Sequence, residues 1–162
     1  MCKNDNKRAF CDKSFFYIYA MKNVSILVPE TAIIEAVADP LYMFKAVNQF
    51  LQAAGKKALF NIQLVGLTKE VKLHGSLFTV HIDKLLKDVK KTDLIFMPAI
   101  SGDITTALQL NKRSIPWIVD QHKKGAEVAS LCIGAFLLAA TGLLDGKKCS
   151  THWNAANEFR TM

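Results

Sequence analysis

The pentapeptide Ser-Leu-Cys-Ile-Gly at residues 130–134 has the residue types and spacing best suited to chemistry in this sequence. It joins an apolar run typical of a β-strand to a second apolar run with helical spacing, and it places one thiol, Cys132, at the junction. Ser130 and Gly134, two positions before and after, are small enough for a strand and a helix to meet in a tight turn. The pattern predicts the thiol form of a nucleophile elbow, a turn that presents a reactive side chain above a sheet.

The chemistry of Cys132 has two interpretations. Free N–H groups at the start of the following helix favour an anion, so they would stabilise a thiolate at this position. Alternatively, Cys132 is a buried structural cysteine, because cysteine is among the most buried residue types. The other cysteines, Cys2, Cys11 and Cys149, form no Cys-x-x-Cys pair. We therefore expect no metal site and no cofactor, and we expect Cys149 to pack in the core.

Length and composition place the chain among ordinary globular proteins. It has 162 residues, of which 51% are hydrophobic and 22% charged, enough for one domain with a core. No apolar stretch reaches the roughly 18 residues that a membrane span needs. The first twenty residues differ in character from those after Met21 and do not form a secretion signal. We expect residues 1–20 to be an N-terminal extension outside the fold, residues 21–162 to form the domain, and the protein to be cytoplasmic, since the few cysteines suit a reducing compartment.

The positive charge of the chain does not predict a nucleic-acid surface. The formal net charge is +7, but much of it lies in lysine pairs next to predicted helices and strands. Lysines after a helix face the negative end of its dipole and are ordinarily solvated. A nucleic-acid surface requires clustered basic residues with interleaved aromatic residues, and the sequence has neither. The pairs are Lys56–Lys57, Lys90–Lys91, Lys123–Lys124 and Lys147–Lys148.

Apolar periodicity predicts strands that alternate with helices. Short β-rich runs occur at 24–28, 60–67, 92–98 and 127–132, and a stretch at 70–82 that alternates around Gly75–Ser76 indicates an edge hairpin or a strand with a turn. Helical spacing predicts a helix that begins near Asp39, with Pro40 at its first position, and ends at Gly55. Further helices are predicted after residues 102, 114 and 133. The alternation indicates an α/β fold with a doubly wound, mainly parallel sheet.

Three strand ends point to one place for a site. In a parallel sheet, ligands bind beyond the carboxyl ends of the strands. Pro29–Glu30, Pro98–Asp103 and Cys132 all follow predicted strands. We therefore expect these segments to meet at one edge of the sheet.

The segment 121–153, "QHKKGAEVASLCIGAFLLAATGLLDGKKCSTHW", resembles the nucleophile segment of the PfpI-like superfamily, which is related to class I glutamine amidotransferases. More narrowly, it resembles the branch fused to AraC-type DNA-binding domains, the GlxA-like transcriptional regulators. "ILVPE" and "DLIFMPAISGD" resemble the first and third strand ends of that branch. The resemblance implies a flavodoxin-like α/β fold with helices on both faces of the sheet.

The resemblance also implies roles for particular residues. Cys132 falls on the elbow cysteine, and His152, in "THW", falls on a histidine that lies near that cysteine in many members. Glu35 is the candidate for the acidic residue after the first strand, with Glu30 as a competitor. The catalytic candidates are therefore Cys132, His152 and Glu35. The ligand-binding candidates, on pocket loops that offer backbone N–H groups or line the site, are Glu30, Ser101, Gly102, Cys132, Ile133 and Gly134.

The function that the resemblance implies is sensing. The resemblance implies a domain that binds a small, often nitrogenous, metabolite and passes the signal to a C-terminal helix-turn-helix domain, which we expect to lie outside this chain. We expect a fragment that binds DNA only through that missing domain, has no membrane partner and forms a homodimer. The alternative is a cysteine-dependent amidase or hydratase of the same superfamily. A third, weaker reading is a thiol protein that handles oxidants or aldehydes.

Overall fold

The computed structural model describes residues 20–162, and the expectation for residues 1–20 falls almost wholly outside them. Within this range no helix is both long enough and apolar enough to cross a membrane. The strands are β1 (Lys22–Leu27), β2 (Phe60–Gly66), β3 (Glu70–Leu73), β4 (Phe78–His81), β5 (Lys84–Leu85), β6 (Leu94–Met97) and β7 (Glu127–Ser130). The helices are α1 (Ile34–Ala53), α2 (Ile104–Asn111), α3 (Ile115–Lys123), α4 (Gly134–Ala139) and α5 (Ala156–Arg160).

Five of the strands form one parallel sheet in the order β5-β2-β1-β6-β7. β1 lies in the middle, where its apolar run is buried on both faces, as parallel sheets require. Val24 and Ile26 point to one face and are fully buried, and Leu27 on the other face is 1% exposed. The doubly wound α/β prediction is confirmed.

Each face of the sheet has its own helices. One face carries a core of Val24, Ile26 and Val37, the last contributed by α1. The opposite face carries a core in which Ile118 of α3 and Leu137 of α4 pack against sheet residues. Helices therefore cover both faces, as the flavodoxin-like prediction requires.

A paired polar network lies inside the sheet near the amino ends of the strands. The Gln63 amide donates to the Ser25 hydroxyl, which donates to the Thr92 hydroxyl, each at 2.9 Å. The Gln121 side chain accepts from the Thr92 backbone N–H at 3.1 Å. Buried polar groups stabilise a fold only when they are paired, and these are.

The start of α1 differs from the prediction. The helix begins at Ile34, and Pro40, expected at the first position, lies inside it. An interior proline removes one backbone hydrogen bond. The helix continues through it because Ala36, Val37 and Pro40 are all buried, so packing on the sheet outweighs the lost bond.

The end of α1 agrees with the prediction. Gly55 has φ +70°, the left-handed conformation that glycine adopts at least cost. Its N–H donates to the Gln52 carbonyl at 2.9 Å, and the Lys56 N–H donates to the Leu51 carbonyl at 2.8 Å. These two bonds form a Schellman motif that ends the helix.

The β3–β4 hairpin and the segment that contains Cys149 also differ from the prediction. The predicted hairpin is present, but β3 and β4 form a separate antiparallel pair rather than an edge of the main sheet. Cys149 precedes the Thr-His-Trp segment, where the sequence also suggests a strand, but residues 147–152 form no strand. Cys149 is exposed, so the prediction that it packs in the core is wrong. Without a strand partner, nothing holds its side chain against the core.

Candidate functional site

A tight turn connects β7 to α4 at Cys132. The Leu131 N–H donates to the Met97 carbonyl at 2.9 Å and so extends the pairing of β7 with β6. The next residue, Cys132, has φ +55°. The Gly134 N–H then donates back to the Leu131 carbonyl at 2.9 Å, and the helix begins. The thiol is half-buried at the carboxyl edge of the sheet.

The backbone of Cys132 is strained. A left-handed conformation costs a residue with a side chain about 1–2 kcal/mol relative to the right-handed one. Such strain persists only where the surrounding structure over-determines the conformation, and it clusters at functional sites. The residues that contact the Cys132 turn must therefore keep its backbone in this conformation.

Gly134 brings α4 against the end of β6. A Cβ atom at this position would lie 2.3 Å from the Pro98 carbonyl oxygen and 3.0 Å from its carbonyl carbon. Backbone atoms cannot yield as a flexible side chain can, so only glycine fits. This contact is the physical reason for the small residue two positions after Cys132, and it ties the turn to the β6 end.

The loops after β1 and β6 are paired with each other. The Ile33 N–H donates to the Ala99 carbonyl at 2.9 Å, and the Ser101 N–H donates to the Thr31 carbonyl at 2.8 Å. The Ser101 hydroxyl donates to the same Thr31 oxygen at 3.1 Å. The Ser101 N–H, expected to be open to a ligand, is thus already used. Gly102, with φ +82° and exposed, follows it.

Glu30 lies on the far side of β1 from Cys132. Its backbone N–H donates to the Asn111 side-chain oxygen at 3.0 Å. Together with Thr68 and Ser114 it lines a small crevice near the end of β2. In the sheet, β2 and β7 lie on opposite sides of β1.

Glu35 lies in the first turn of α1 and is exposed. No hydrogen bond or ion pair within residues 20–162 joins Glu35 or Glu30 to Cys132. The structure thus brings neither carboxylate into bonding contact with the thiol.

The Thr-His-Trp segment is tied to the Cys132 turn. The Thr151 hydroxyl donates to the Cys132 carbonyl at 3.2 Å. The ring centroids of His152 and Trp153 lie 5.5 Å apart, and Trp153 is 80% exposed. Further along, the Phe159 ring of α5 meets the Phe136 ring of α4 edge-on at 4.9 Å. These contacts hold His152 at the same end of α4 as the thiol.

The hydrogen bonding of His152 limits its chemistry. Its ring Nδ1 accepts the Asn154 backbone N–H at 3.3 Å. A neutral imidazole whose Nδ1 accepts must carry its proton on Nε2, so Nε2 is a donor. A general base for the thiol needs an acceptor nitrogen. The ring in this arrangement is suited to donate a hydrogen bond rather than to remove a proton.

Two backbone N–H groups of the turn remain open. Cys132 is left-handed and Ile133 right-handed, with φ −67° and ψ −12°. Successive residues in such conformations direct their N–H groups into one concavity, which binds anions and carbonyl oxygens. Neither N–H donates to an acceptor among the described residues. The turn can therefore hold an oxygen atom of a ligand.

We also looked at this edge for side chains that could bind a metal ion. The described part of the chain contains no group of three or more His, Cys, Asp or Glu side chains able to hold a metal ion.

The sequence reasoning missed two residues that organise the site. One is Thr151, which stands directly before His152. Asn111 is 2% exposed, and besides accepting from Glu30 it donates to the Ala107 carbonyl at 2.8 Å and to the Thr31 hydroxyl at 3.4 Å. The sequence signal for Asn111 is its spacing. It lies four residues after Ala107, so the two side chains share the inner face of α2.

Known proteins similar to this chain include both regulators and an enzyme. The HTH-type transcriptional regulator CdhR of Pseudomonas aeruginosa is 31% identical over 85 residues, which are 51% of this chain and 24% of CdhR. Isonitrile hydratase of Pseudomonas putida is 33% identical over 67 residues, which are 41% of this chain and 28% of the hydratase. The chain thus matches only about a quarter of the length of each.

Solved structures agree on the fold. A proposed transcriptional regulator from Vibrio parahaemolyticus matches with a TM-score of 0.74 at 18% identity, over 88% of this chain and 72% of that one. Oxidised DJ-1 of Toxoplasma gondii matches with a TM-score of 0.63 at 18% identity, over 85% of this chain and 71% of that one. At such identities the likeness concerns the fold alone.

The family follows from the extent of the match. The model of the DJ-1/PfpI family matches residues 23–161, from the first strand to the last helix. It includes the Cys132 turn, the paired loops and the Thr-His-Trp segment. This chain belongs to the DJ-1/PfpI family.

Proposed function

We propose that this chain is the small-molecule-sensing domain of a cytoplasmic transcriptional regulator of the AraC type. Two of its relatives, CdhR and GbdR of Pseudomonas aeruginosa, are HTH-type transcriptional regulators. DNA binding would belong to a separate domain of the full protein. A homodimer would hold two pockets and two DNA-binding domains in one assembly.

The proposed pocket lies at the carboxyl ends of β1, β6 and β7. The backbone N–H groups of Cys132 and Ile133 would hold a carbonyl or carboxylate oxygen of the ligand. His152 would donate from Nε2 to a second acceptor, and Ser101 and Gly102 would form the opposite wall. In this role Cys132 is the elbow residue of the pocket and contacts the ligand without attacking it.

The observation that carries this proposal is the bond between His152 Nδ1 and the Asn154 N–H. It favours binding over catalysis, because it occupies the nitrogen lone pair and leaves Nε2 protonated. A further point is the lack of a bonded carboxylate: no hydrogen bond or ion pair joins Glu30 or Glu35 to the His152 ring within residues 20–162. A catalytic Cys-His pair ordinarily has such an orienting group.

The test is ligand-induced thermal stabilisation. We would screen the chain against small amines, amides and nitrogen-containing carboxylic acids. A ligand that raises the melting temperature of the wild type should also stabilise Cys132→Ser and should lose most of its effect on His152→Ala. His81→Ala, on the distant hairpin, is the matched control. Equal stabilisation of the two histidine variants would contradict the proposed pocket.

The second candidate function is a cysteine-dependent hydratase or amidase. The match to isonitrile hydratase and the strained backbone at Cys132 favour it. Hydration of an isonitrile adds one water and yields an N-substituted formamide, which NMR detects directly. Formamide production by the wild type that is lost in Cys132→Ser would establish the enzyme and displace the sensing proposal.

A further inference from the structure

The parallel sheet gathers lysines that are scattered along the sequence. Lys22 begins β1, and Lys56–Lys57, Lys90–Lys91 and Lys123–Lys124 come shortly before β2, β6 and β7. The amino ends of parallel strands share one edge of a sheet, so these seven lysines lie at the same edge. All of them are exposed. We call these seven residues the lysine row.

The strand register sets the geometry of the lysine row. Lys22 is opposite Phe60 of β2. Two residues further on, Val24 is opposite Leu94 of β6. Leu94 in turn is opposite Glu127 of β7, so the four strands start nearly level, in the order β2-β1-β6-β7. Neighbouring strands lie about 4.8 Å apart, and the row therefore extends over about 15 Å.

Hydrogen bonds fix the loops on one half of the row. Gln121, near the end of α3, is 1% exposed and donates from its side-chain amide to the Val89 carbonyl at 3.1 Å. Its side-chain oxygen accepts from the Thr92 N–H at 3.1 Å. Gln121 thereby holds the loop of Lys90–Lys91 against the end of the helix that carries Lys123.

The other half of the row is also held by backbone bonds. The Lys22 N–H donates to the Leu59 carbonyl at 2.8 Å, and the Lys56 N–H donates to the Leu51 carbonyl at 2.8 Å. Side chains on a fixed backbone need less ordering when they bind a partner, so less of the binding free energy is lost.

The charge of the row is largely unneutralised. Within residues 20–162 the only lysine of the row with a salt bridge is Lys124, whose Nζ lies 2.6 Å from the Asp120 carboxylate. Asp93 and Glu127 also lie at this edge, but no ion pair joins them to the row in the described part of the chain. Asp93 instead accepts from the Asn23 backbone N–H at 2.8 Å. The seven lysines outnumber these three carboxylates, so the edge has a net positive charge.

Helix dipoles account for only part of this charge. Lys56–Lys57 and Lys123–Lys124 follow α1 and α3, and lysines there face the negative ends of the helices. Lys90–Lys91 lie between β5 and β6, with no α-helix before them in that segment. What the members of the row share is the sheet edge, which favours a common partner.

The length and charge of the row match the phosphate backbone of duplex DNA. Each DNA strand carries one phosphate per roughly 3.4 Å of axis, so about 15 Å presents about four phosphates of one strand. Interleaved aromatic residues stack on the bases of single strands, whereas duplex phosphates need only cations. Anionic lipid headgroups spread in two dimensions, and a narrow row would contact few of them. Duplex DNA is therefore the favoured partner.

We propose that the lysine row binds the phosphate backbone of duplex DNA without reading its sequence. This contact goes beyond the sensing function and does not depend on the ligand pocket. Sequence-specific binding would still belong to the separate DNA-binding domain, and the row would contact DNA that this domain holds nearby. β7 separates the row from Cys132 at its other end, so bound DNA would leave the pocket open.

The first experiment measures binding of the full chain to a fluorescein-labelled duplex of about 20 base pairs by anisotropy. The dissociation constant should lie below about 100 µM at about 50 mM salt. The logarithm of the association constant should fall with the logarithm of salt concentration with a slope of about −4, since about four phosphates each contribute about −0.9. Two duplexes of unrelated sequence should bind equally. No detectable binding under these conditions would overturn the proposal.

The second experiment locates the binding surface. Lys90→Ala together with Lys91→Ala should make the salt slope less steep by about two, because each lost lysine removes about one phosphate contact. Lys69→Ala together with Lys72→Ala is the matched control: both positions are exposed, and they lie at the hairpin beyond the carboxyl end of β2. Circular dichroism checks that both variants fold. Equal changes in the two variants would assign binding to net charge and overturn the role of the row.

The third experiment compares duplex DNA with an anionic membrane. The chain should bind the duplex more tightly than it binds vesicles of phosphatidylcholine and phosphatidylglycerol in equal amounts, measured by co-sedimentation at the same salt concentration. Tighter binding to the vesicles that is lost in the Lys90→Ala, Lys91→Ala variant would overturn the proposal and identify a membrane surface as the partner of the row.

Discussion

Gly134 and Pro98 lie so close that a Cβ atom on Gly134 would come within 2.3 Å of the Pro98 carbonyl oxygen. This contact joins the start of α4 to the end of β6, and so fixes the turn that carries Cys132 relative to the neighbouring loop. At the carboxyl edge of the sheet, backbone contacts rather than long side chains therefore set the position of the Cys132 turn relative to the loop after β6.

Gly134→Ala should destabilise the chain by about 2–3 kcal/mol, because the added methyl group meets backbone that cannot move freely. Urea denaturation would measure the loss. Gly125→Ala is the matched control: Gly125 has φ +95° and open space around its Cβ position, so it reports backbone strain alone. Similar losses in the two variants would mean that the Pro98 contact is unimportant.

Cys132→Gly should stabilise the chain or leave it unchanged, with a gain of up to about 1 kcal/mol, because glycine relieves the left-handed strain. Cys132→Val should destabilise it, since a β-branched residue is least tolerant of φ +55°. Thermal melting of the two variants would give the comparison. A glycine variant markedly less stable than the valine variant would show that the turn is not strained.

Asn111→Ala should destabilise the chain by about 1–3 kcal/mol, because it leaves the Glu30 N–H without its buried partner. Asn157→Ala, at an exposed position of α5, should change the free energy of unfolding by less than about 0.5 kcal/mol. Hydrogen exchange at Glu30 and Thr31 should also accelerate in the Asn111 variant. Unchanged exchange at these two residues would show that Asn111 does not stabilise the loop after β1.

Asp103 should make stability depend on acid pH. The Thr106 backbone N–H and hydroxyl donate to its carboxylate at the start of α2, and they hold the pKa of Asp103 below its ordinary value of 3.8. A lowered folded-state pKa stabilises the fold above about pH 4, and this contribution is lost as pH falls through the folded value. Melting curves of wild type and Asp103→Ala should therefore differ at pH 7 and converge toward pH 3.

Asp103→Asn is the control for that prediction. Asparagine keeps the capping hydrogen bond but carries no charge. Its melting temperature should stay near that of the wild type at pH 7. As the pH falls toward 3, it should not show the decrease that protonation of Asp103 causes in the wild type. An Asn variant that follows the pH profile of the wild type would assign the dependence to another carboxylate.

Local sequence pattern predicted the strands and helices near the site, but it did not predict features that depend on packing between distant segments. The sequence predicts that α1 starts near Asp39, because proline is favoured at the first helical position, yet burial of Ala36 and Val37 carries the helix through Pro40. The Ser101 N–H was expected to be open, but pairing with Thr31 uses it. Neither outcome could be read from the chain, because each depends on a partner distant in sequence or on the sheet beneath.

The sequence by itself determined the parallel α/β order, the gathering of three strand ends at one edge, and Cys132 with Gly134 at a strand-to-helix joint. These follow from apolar periodicity and residue size, which act locally. Only the tertiary structure decided that Glu30 is bonded to Asn111, that Cys149 is exposed and that Thr151 is bonded to the Cys132 turn. These depend on hydrogen bonds and packing between segments whose relative placement no local pattern encodes.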